Sequence, residues 1–119
     1  MTSDELLTLT KSKQIELGAH TVSHPMLERL SADQQHVEIA DSLATLKTVT
    51  GTTVRSFAYP NGSYSAATPG LVKALGLSCA CAMIEGPVTG SSDPFLIPRL
   101  TAPNVGSDPF RRWLRRWLG

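Results

Sequence analysis

The sequence predicts an α/β fold built on a mostly parallel sheet. Three observations predict it. Helical and strand-like segments alternate in the order helix–strand–helix–strand–helix–strand–strand–helix. The longest segment, residues 32–50, has helix signals at both ends and along its length. The intervening apolar runs "IELGAHT", "TVRSFAYP" and "LSCACAMI" are short and strand-like.

Taken in order, "SDELLTLTKS" reads as a short helix with Ser3 or Asp4 as its N-cap. "IELGAHT" follows as a strand. Pro25 bars a continuous helix through His24, because the residue before proline is pushed out of helical geometry. The chain is therefore expected to leave the strand at His20, loop, and begin a turn of helix with Pro25 at its first position. Ser31 and Gln34 then form a capping box, and Ile39, Leu43 and Leu46 recur at helical spacing. Gly51 is a natural stop. "TVRSFAYP" is a strand ended by Pro60, and "NGSYS" a turn. "AATPGLVKALG" is a helix with Pro69 near its start and Gly76 at its end. "LSCACAMI" is the next strand.

From Glu85 the texture changes. Pro87, Pro94, Pro98, Pro103 and Pro109 keep regular structure short. "FLIPRL" is expected at a sheet edge, where proline is tolerated. Residues 108–119 close the chain as an amphipathic helix. Arg111, Arg112, Arg115 and Arg116 lie on one side, with Trp113, Leu114, Trp117 and Leu118 on the other. The preferred reading packs the tryptophans on the domain and leaves the arginines in water. The alternative is an anionic membrane surface or a partner groove.

The totals bound the function. A chain of 119 residues is expected to form a single domain, 1–119. With 41% hydrophobic and 18% charged residues it reads as a globular protein. A net charge of +1 gives no reason to expect nucleic acid as a partner. No apolar run approaches the roughly 18 residues of a membrane span. "MTSDELLTLTKSK" lacks the order of a secretory signal, so the chain as given shows no export route. Cys79 and Cys81 fall on one face of an extended segment. They read as small apolar residues rather than a soft-metal site, because no second Cys pair or nearby His completes one.

The chemistry centres on His20 and His24. Neutral imidazoles are the commonest metal ligands, and two histidines four residues apart can share one ion. The spacing alone also fits helix-capping or core histidines. His36, on the long helix, reads as a surface residue. The wider pattern is more specific. "GAHTVSHP", followed by "FAYPNG", resembles the polysaccharide deacetylase family, the NodB-homology domain, whose H-[ST]-x-x-H-P motif is matched by His20, Thr21, Ser23, His24 and Pro25. The resemblance covers roughly Ser3 to Leu100.

The resemblance implies a partial (β/α) barrel with its active-site loops at the C-terminal strand ends. It implies metal-assisted removal of acetyl groups from an N-acetylated sugar, with a carboxylate as base and a backbone N–H on the oxyanion. Carried over, His20 and His24 are metal ligands. Tyr59 and Pro60 line the substrate groove beside Asn61, whose backbone N–H is the oxyanion donor. Arg99 in "IPRL" is a candidate to orient a carboxylate or substrate, or else a surface arginine. The cofactor is a divalent metal, zinc foremost, with cobalt, nickel and manganese as alternatives. The partner is an acetylated polysaccharide or cell-wall glycan.

The departures are definite. The family's first motif, T-F-D-D, which supplies a metal ligand and the base, is absent, and only 19 residues precede His20. The acids there, Asp4, Glu5 and Glu16, have no matching context. Ala58 stands where many members have the arginine of R-x-P-Y, and a late L-x-H motif is missing. The simplest expectation is a sequence truncated on its N-terminal side that supplies the second half of the barrel. A half barrel leaves strand edges unpaired. Marginal stability is therefore expected unless a second copy or a complementing half covers them. Three functions compete: an incomplete deacetylase-like hydrolase, a non-catalytic metal- or glycan-binding remnant, and a membrane-associated module using the terminal helix.

Overall fold

The computed structural model describes residues 1–118. Helix α1, Ser3–Thr10, is capped one residue earlier than the sequence suggested, by Thr2. The Glu5 N–H donates to Thr2 Oγ1 at 3.2 Å, and the Thr2 N–H donates to Glu5 Oε2 at 2.6 Å. Ser3 or Asp4 as cap would place no Glu or Gln at the reciprocal position. The T-x-x-E frame satisfies two orphan donors at once.

Strands β1 (Gly18–Ala19), β2 (Ser56–Ala58) and β3 (Cys79–Cys81) form an open parallel sheet in the order β1-β2-β3. Gly18 pairs with Ser56 and Ala19 with Phe57, and Ser56, Phe57 and Ala58 then pair with Cys79, Ala80 and Cys81. The α/β class is as expected, with strands shorter than the apolar runs that announced them. The edge strand expected in "FLIPRL" reduces to a single parallel bridge, Cys81 to Ile97. The Ile97 N–H donates to Ala80 O and the Ala82 N–H to Ile97 O, both at 2.9 Å. On either side of this bridge the contacts fall out of strand register: the Ala80 N–H donates to Pro94 O at 2.8 Å and the Arg99 N–H to Ile84 O at 2.9 Å.

Helix α2, Ala32–Thr50, carries the Ser31–Gln34 capping box and ends at Gly51 with φ 70°. Its inward face presents Gln35, Ile39 and Ser42, all buried. Helix α3, Thr68–Ala74, packs beside it. Ala19, Ile39, Phe57, Tyr59, Val72 and Ala80 belong to one buried apolar cluster, with Leu27 holding the loop after β1 against it. The turn of helix expected at Pro25 is a 3-10 turn at Leu27–Arg29, beginning after an extended Met26. Leu27 is fully buried, and its burial fixes where that turn starts.

On β3, Ala80 faces the core while Cys79 and Cys81 are half-buried on the other face. Burial, then the neighbouring Cys81 and Glu16, pushes the Cys79 thiol up from its ordinary value, which disfavours the reactive thiolate. Helix α4, Ser107–Leu118, exposes its four arginines and half-buries Trp113, Leu114 and Trp117. Phe110 stacks on Trp113 at 5.5 Å. Gly119, the last residue of the expected helix, lies outside the described residues. No helix among the described residues is long and apolar enough to cross a membrane.

Candidate functional site

In a parallel sheet the loops that leave the C-terminal strand ends gather on one side, and ligands bind there. The chain after β1 is the loop His20–Met26. The chain after β2 is Tyr59–Gly62. The two loops touch. Asn61 Nδ2 lies 3.4 Å from Met26 Sδ, and the Glu28 N–H donates to the buried Ser63 Oγ at 3.1 Å.

His20 is the first residue past β1. Its Nδ1 is 2.7 Å from Ala58 O at the end of β2. A carbonyl only accepts, so this contact fixes the tautomer: the proton is on Nδ1 and the Nε2 lone pair is free. Metal-ligating histidines are held in the same manner by a bond to the other ring nitrogen. His24 stands edge-on to His20, with ring centroids 4.8 Å apart. Both histidines are exposed. The structure thus brings the two expected ligands together, with one tautomer already set.

The backbone of this site is unusual. Thr21, His24 and Asn61 have φ of 64°, 58° and 53°, and they are the non-glycine residues with positive φ among those described. Such conformations cost about 1–3 kcal/mol each and collect at functional sites. Local bonds hold them: the Thr21 hydroxyl donates to His20 O at 2.5 Å and accepts from the His24 N–H at 3.2 Å.

The larger brace comes from α2. Glu38 Oε2 accepts from the N–H groups of Val22 and Ser23, each at 2.9 Å, and Glu38 Oε1 accepts from the Ser23 hydroxyl at 2.5 Å. These bonds, that of the Ser23 hydroxyl foremost, hold the Glu38 carboxyl below its ordinary 4.5 despite partial desolvation. Sequence reasoning did not single out Glu38. The available signal was its position: it follows Gln35 by three residues and precedes Ser42 by four, a charged residue on the inward side of α2.

Asn61 is exposed, and among the described residues no carbonyl or side chain accepts from its backbone N–H. The Tyr59 and Pro60 side chains, expected along the groove, are buried instead. Tyr59 stacks between Phe57 and Tyr64, and its hydroxyl donates to Phe95 O at 2.7 Å. Burial, with Asp93 and Tyr64 adding to it, raises its pKa above the ordinary tyrosine value. Arg99 also stands apart from the histidines. Its Nε donates to Ala82 O at 3.0 Å, and it lines a cavity of about 420 Å³ with Met83, Glu85 and Leu100. The histidine-side cavity, about 320 Å³, is lined instead by His20, Thr21, Val22 and Ser42 among others.

The acids that precede His20 are elsewhere. Glu5 caps α1, and Glu16 lies before β1, at the opposite end of the sheet, in a cleft with Thr53 and Arg55. Among the described residues no group of three His, Cys, Asp or Glu side chains is placed to hold one metal ion. The donor set for a divalent metal therefore fits as far as two imidazoles and is short of a carboxylate.

The family model for "Polysaccharide deacetylase" matches residues 2–80. No curated protein matches the chain. Among solved structures, the deacetylase PplD of Streptococcus pyogenes in complex with acetate is 28% identical, with TM-score 0.69 over 72% of this chain and 38% of that one. The BpsB deacetylase domain of Bordetella bronchiseptica is 20% identical, with TM-score 0.75 over 83% of this chain and 48% of that one. BA3943 of Bacillus anthracis, a CE4 family pseudoenzyme, is 22% identical, with TM-score 0.57 over 65% of this chain and 28% of that one. The chain thus spans less than half the length of each of these. The matched region contains the three strands up to Ala80 and both loops, the one that carries His20 and His24 and the one that carries Asn61, and on this match the chain belongs to the polysaccharide deacetylase family.

Proposed function

We propose that this chain carries the metal-binding and oxyanion side of a deacetylase site acting on an acetylated glycan, with His20 and His24 as two ligands of a divalent metal, zinc foremost. The observation that carries the reading is the His20 Nδ1 contact with Ala58 O at 2.7 Å, which leaves Nε2 as the nitrogen open to a metal beside His24. When bound, a divalent metal supplies a Lewis acid that polarises the acetyl carbonyl and lowers the pKa of water. The chain's own contributions are separate. The left-handed turn at Asn61 presents a backbone N–H with no internal acceptor, suited to a developing oxyanion. The buried Tyr59 and Pro60 hold that turn in place. Proton removal needs a carboxylate that the described residues do not bring to the histidines. In this reading a complementing segment or a second copy supplies it.

A second reading, a metal- or glycan-binding remnant without turnover, is favoured by that same lack of a third ligand group. The family includes the pseudoenzyme BA3943. Acetate release from N-acetylated sugar oligomers, measured beside zinc content, separates the two. Acetate release that is lost in His20→Ala supports the hydrolase. Zinc retention without acetate supports the remnant. Unchanged zinc content in His20→Ala rules out both.

A further inference from the structure

We infer that Glu38 is a positioning residue for the metal loop: its carboxylate, acting from α2, sets the spacing of His20 and His24 without touching either ring. This assignment rests on the metal reading above. The five residues His20 to His24 must fold back tightly enough to bring the rings to 4.8 Å. The two residues at the apex, Val22 and Ser23, send both backbone N–H groups and one hydroxyl to a single carboxylate. Successive N–H groups converging on one oxygen form a concave anion-binding backbone. Here the anion is built into the protein.

The bonds are directional and charge-assisted, so they fix the loop rather than merely cover it. They also work over a distance the local loop cannot. Glu38 lies 15 and 16 residues from its partners, on a helix locked to the core through Gln35, Ile39 and Ser42. Thr21 bridges His20 O to the His24 N–H at the base of the loop, and Glu38 holds the apex. Both carboxylate oxygens accept from the loop apex, which makes Glu38 a brace of the loop.

The test is zinc affinity of the full chain by competition with a chromophoric chelator, with the melting temperature of the metal-free protein measured alongside. The variants are His20→Ala, Glu38→Ala, Glu38→Gln and Ser23→Ala. Loss of such supporting partners typically weakens metal binding about 10–100-fold. Glu38→Ala is expected within that range, Glu38→Gln between it and wild type, and Ser23→Ala mildest, since it removes one bond of three. Metal-free melting temperatures are expected to fall far less in rank than affinities do. Undiminished affinity in both Glu38→Gln and Ser23→Ala, with His20→Ala weakened, overturns the assignment to Glu38 and leaves the metal reading intact. Equal affinity in His20→Ala and wild type overturns the metal reading and this assignment with it. Should Glu38→Ala not fold, the Gln and Ser23 variants decide the matter.

Discussion

A single hydrogen bond carries most of the meaning of His20. Its Nδ1 faces a carbonyl at 2.7 Å, so the neutral ring is expected as the Nδ1–H tautomer. Nitrogen-15 spectra of the imidazoles should show a protonated Nδ1 and an acceptor-type Nε2 for His20. The opposite tautomer would leave two acceptors facing each other and is not expected. Glu38 carries a pH dependence. Its folded pKa lies below its ordinary 4.5, so its contribution to stability is present above that value. It is lost as pH falls through the lower, folded value. Acid unfolding of Glu38→Gln should therefore be shallower than that of wild type as pH falls below the ordinary 4.5. His20 and His24 were legible because both sit in one short motif. Glu38 was not, because its partners are 15 and 16 residues away and only the fold brings them together. The burial of Tyr59 was not legible for the same reason: Phe95, whose carbonyl accepts its hydroxyl, is 36 residues distant.

Among the elements, helix ends were read well where their signals are local. Ser31, Gln34 and Gly51 bound α2 as expected, while the T-x-x-E box at Thr2 was overlooked in favour of the next two residues. Strand lengths were over-read, since apolar runs continue into loops that bury them without pairing. Two features between elements invite mutation. Gly62 has φ 66°, and a Cβ there would lie 2.6 Å from Met83 Cβ. Gly62→Ala is expected to cost about 1–3 kcal/mol in chemical denaturation, because both the backbone and the neighbour must give. The second is the buried bond from Thr68 Oγ1 to Gln35 Oε1 at 2.7 Å, with Gln35 Nε2 donating to Leu30 O at 3.0 Å. These tie α2 to the start of α3 and to the end of the 3-10 turn that follows the histidine loop. Gln35→Ala leaves Leu30 O and the Thr68 hydroxyl short of partners, and a loss of at least 1–3 kcal/mol, as an order of magnitude, is expected from unsatisfied buried groups.

For the molecule as a whole, the sheet ends at β1, whose outer edge has no strand partner among the described residues. The radius of gyration is 16.0 Å, where a compact domain of this length would have about 13–14 Å. An open sheet and a loose outline both point to a chain that gains from being covered. Thermal unfolding followed by circular dichroism is expected at or below the lower end of the roughly 45–65 °C range of ordinary domains. The midpoint should rise with protein concentration if a second copy covers the β1 edge. A cooperative, concentration-independent melt well above that range would contradict this. The parallel α/β class was readable from the order of segments. The open edge was readable only as a consequence of the missing first motif, since no local signal marks a strand as unpartnered.

The histidine pair as ligands of one metal ion is tested most directly by X-ray absorption at the zinc edge of the zinc-loaded full chain. The expected result is two imidazole ligands per zinc at about 2.0–2.1 Å, falling to one in His20→Ala and in His24→Ala. Zinc without imidazole scattering, or imidazole scattering unchanged in both variants, would contradict it.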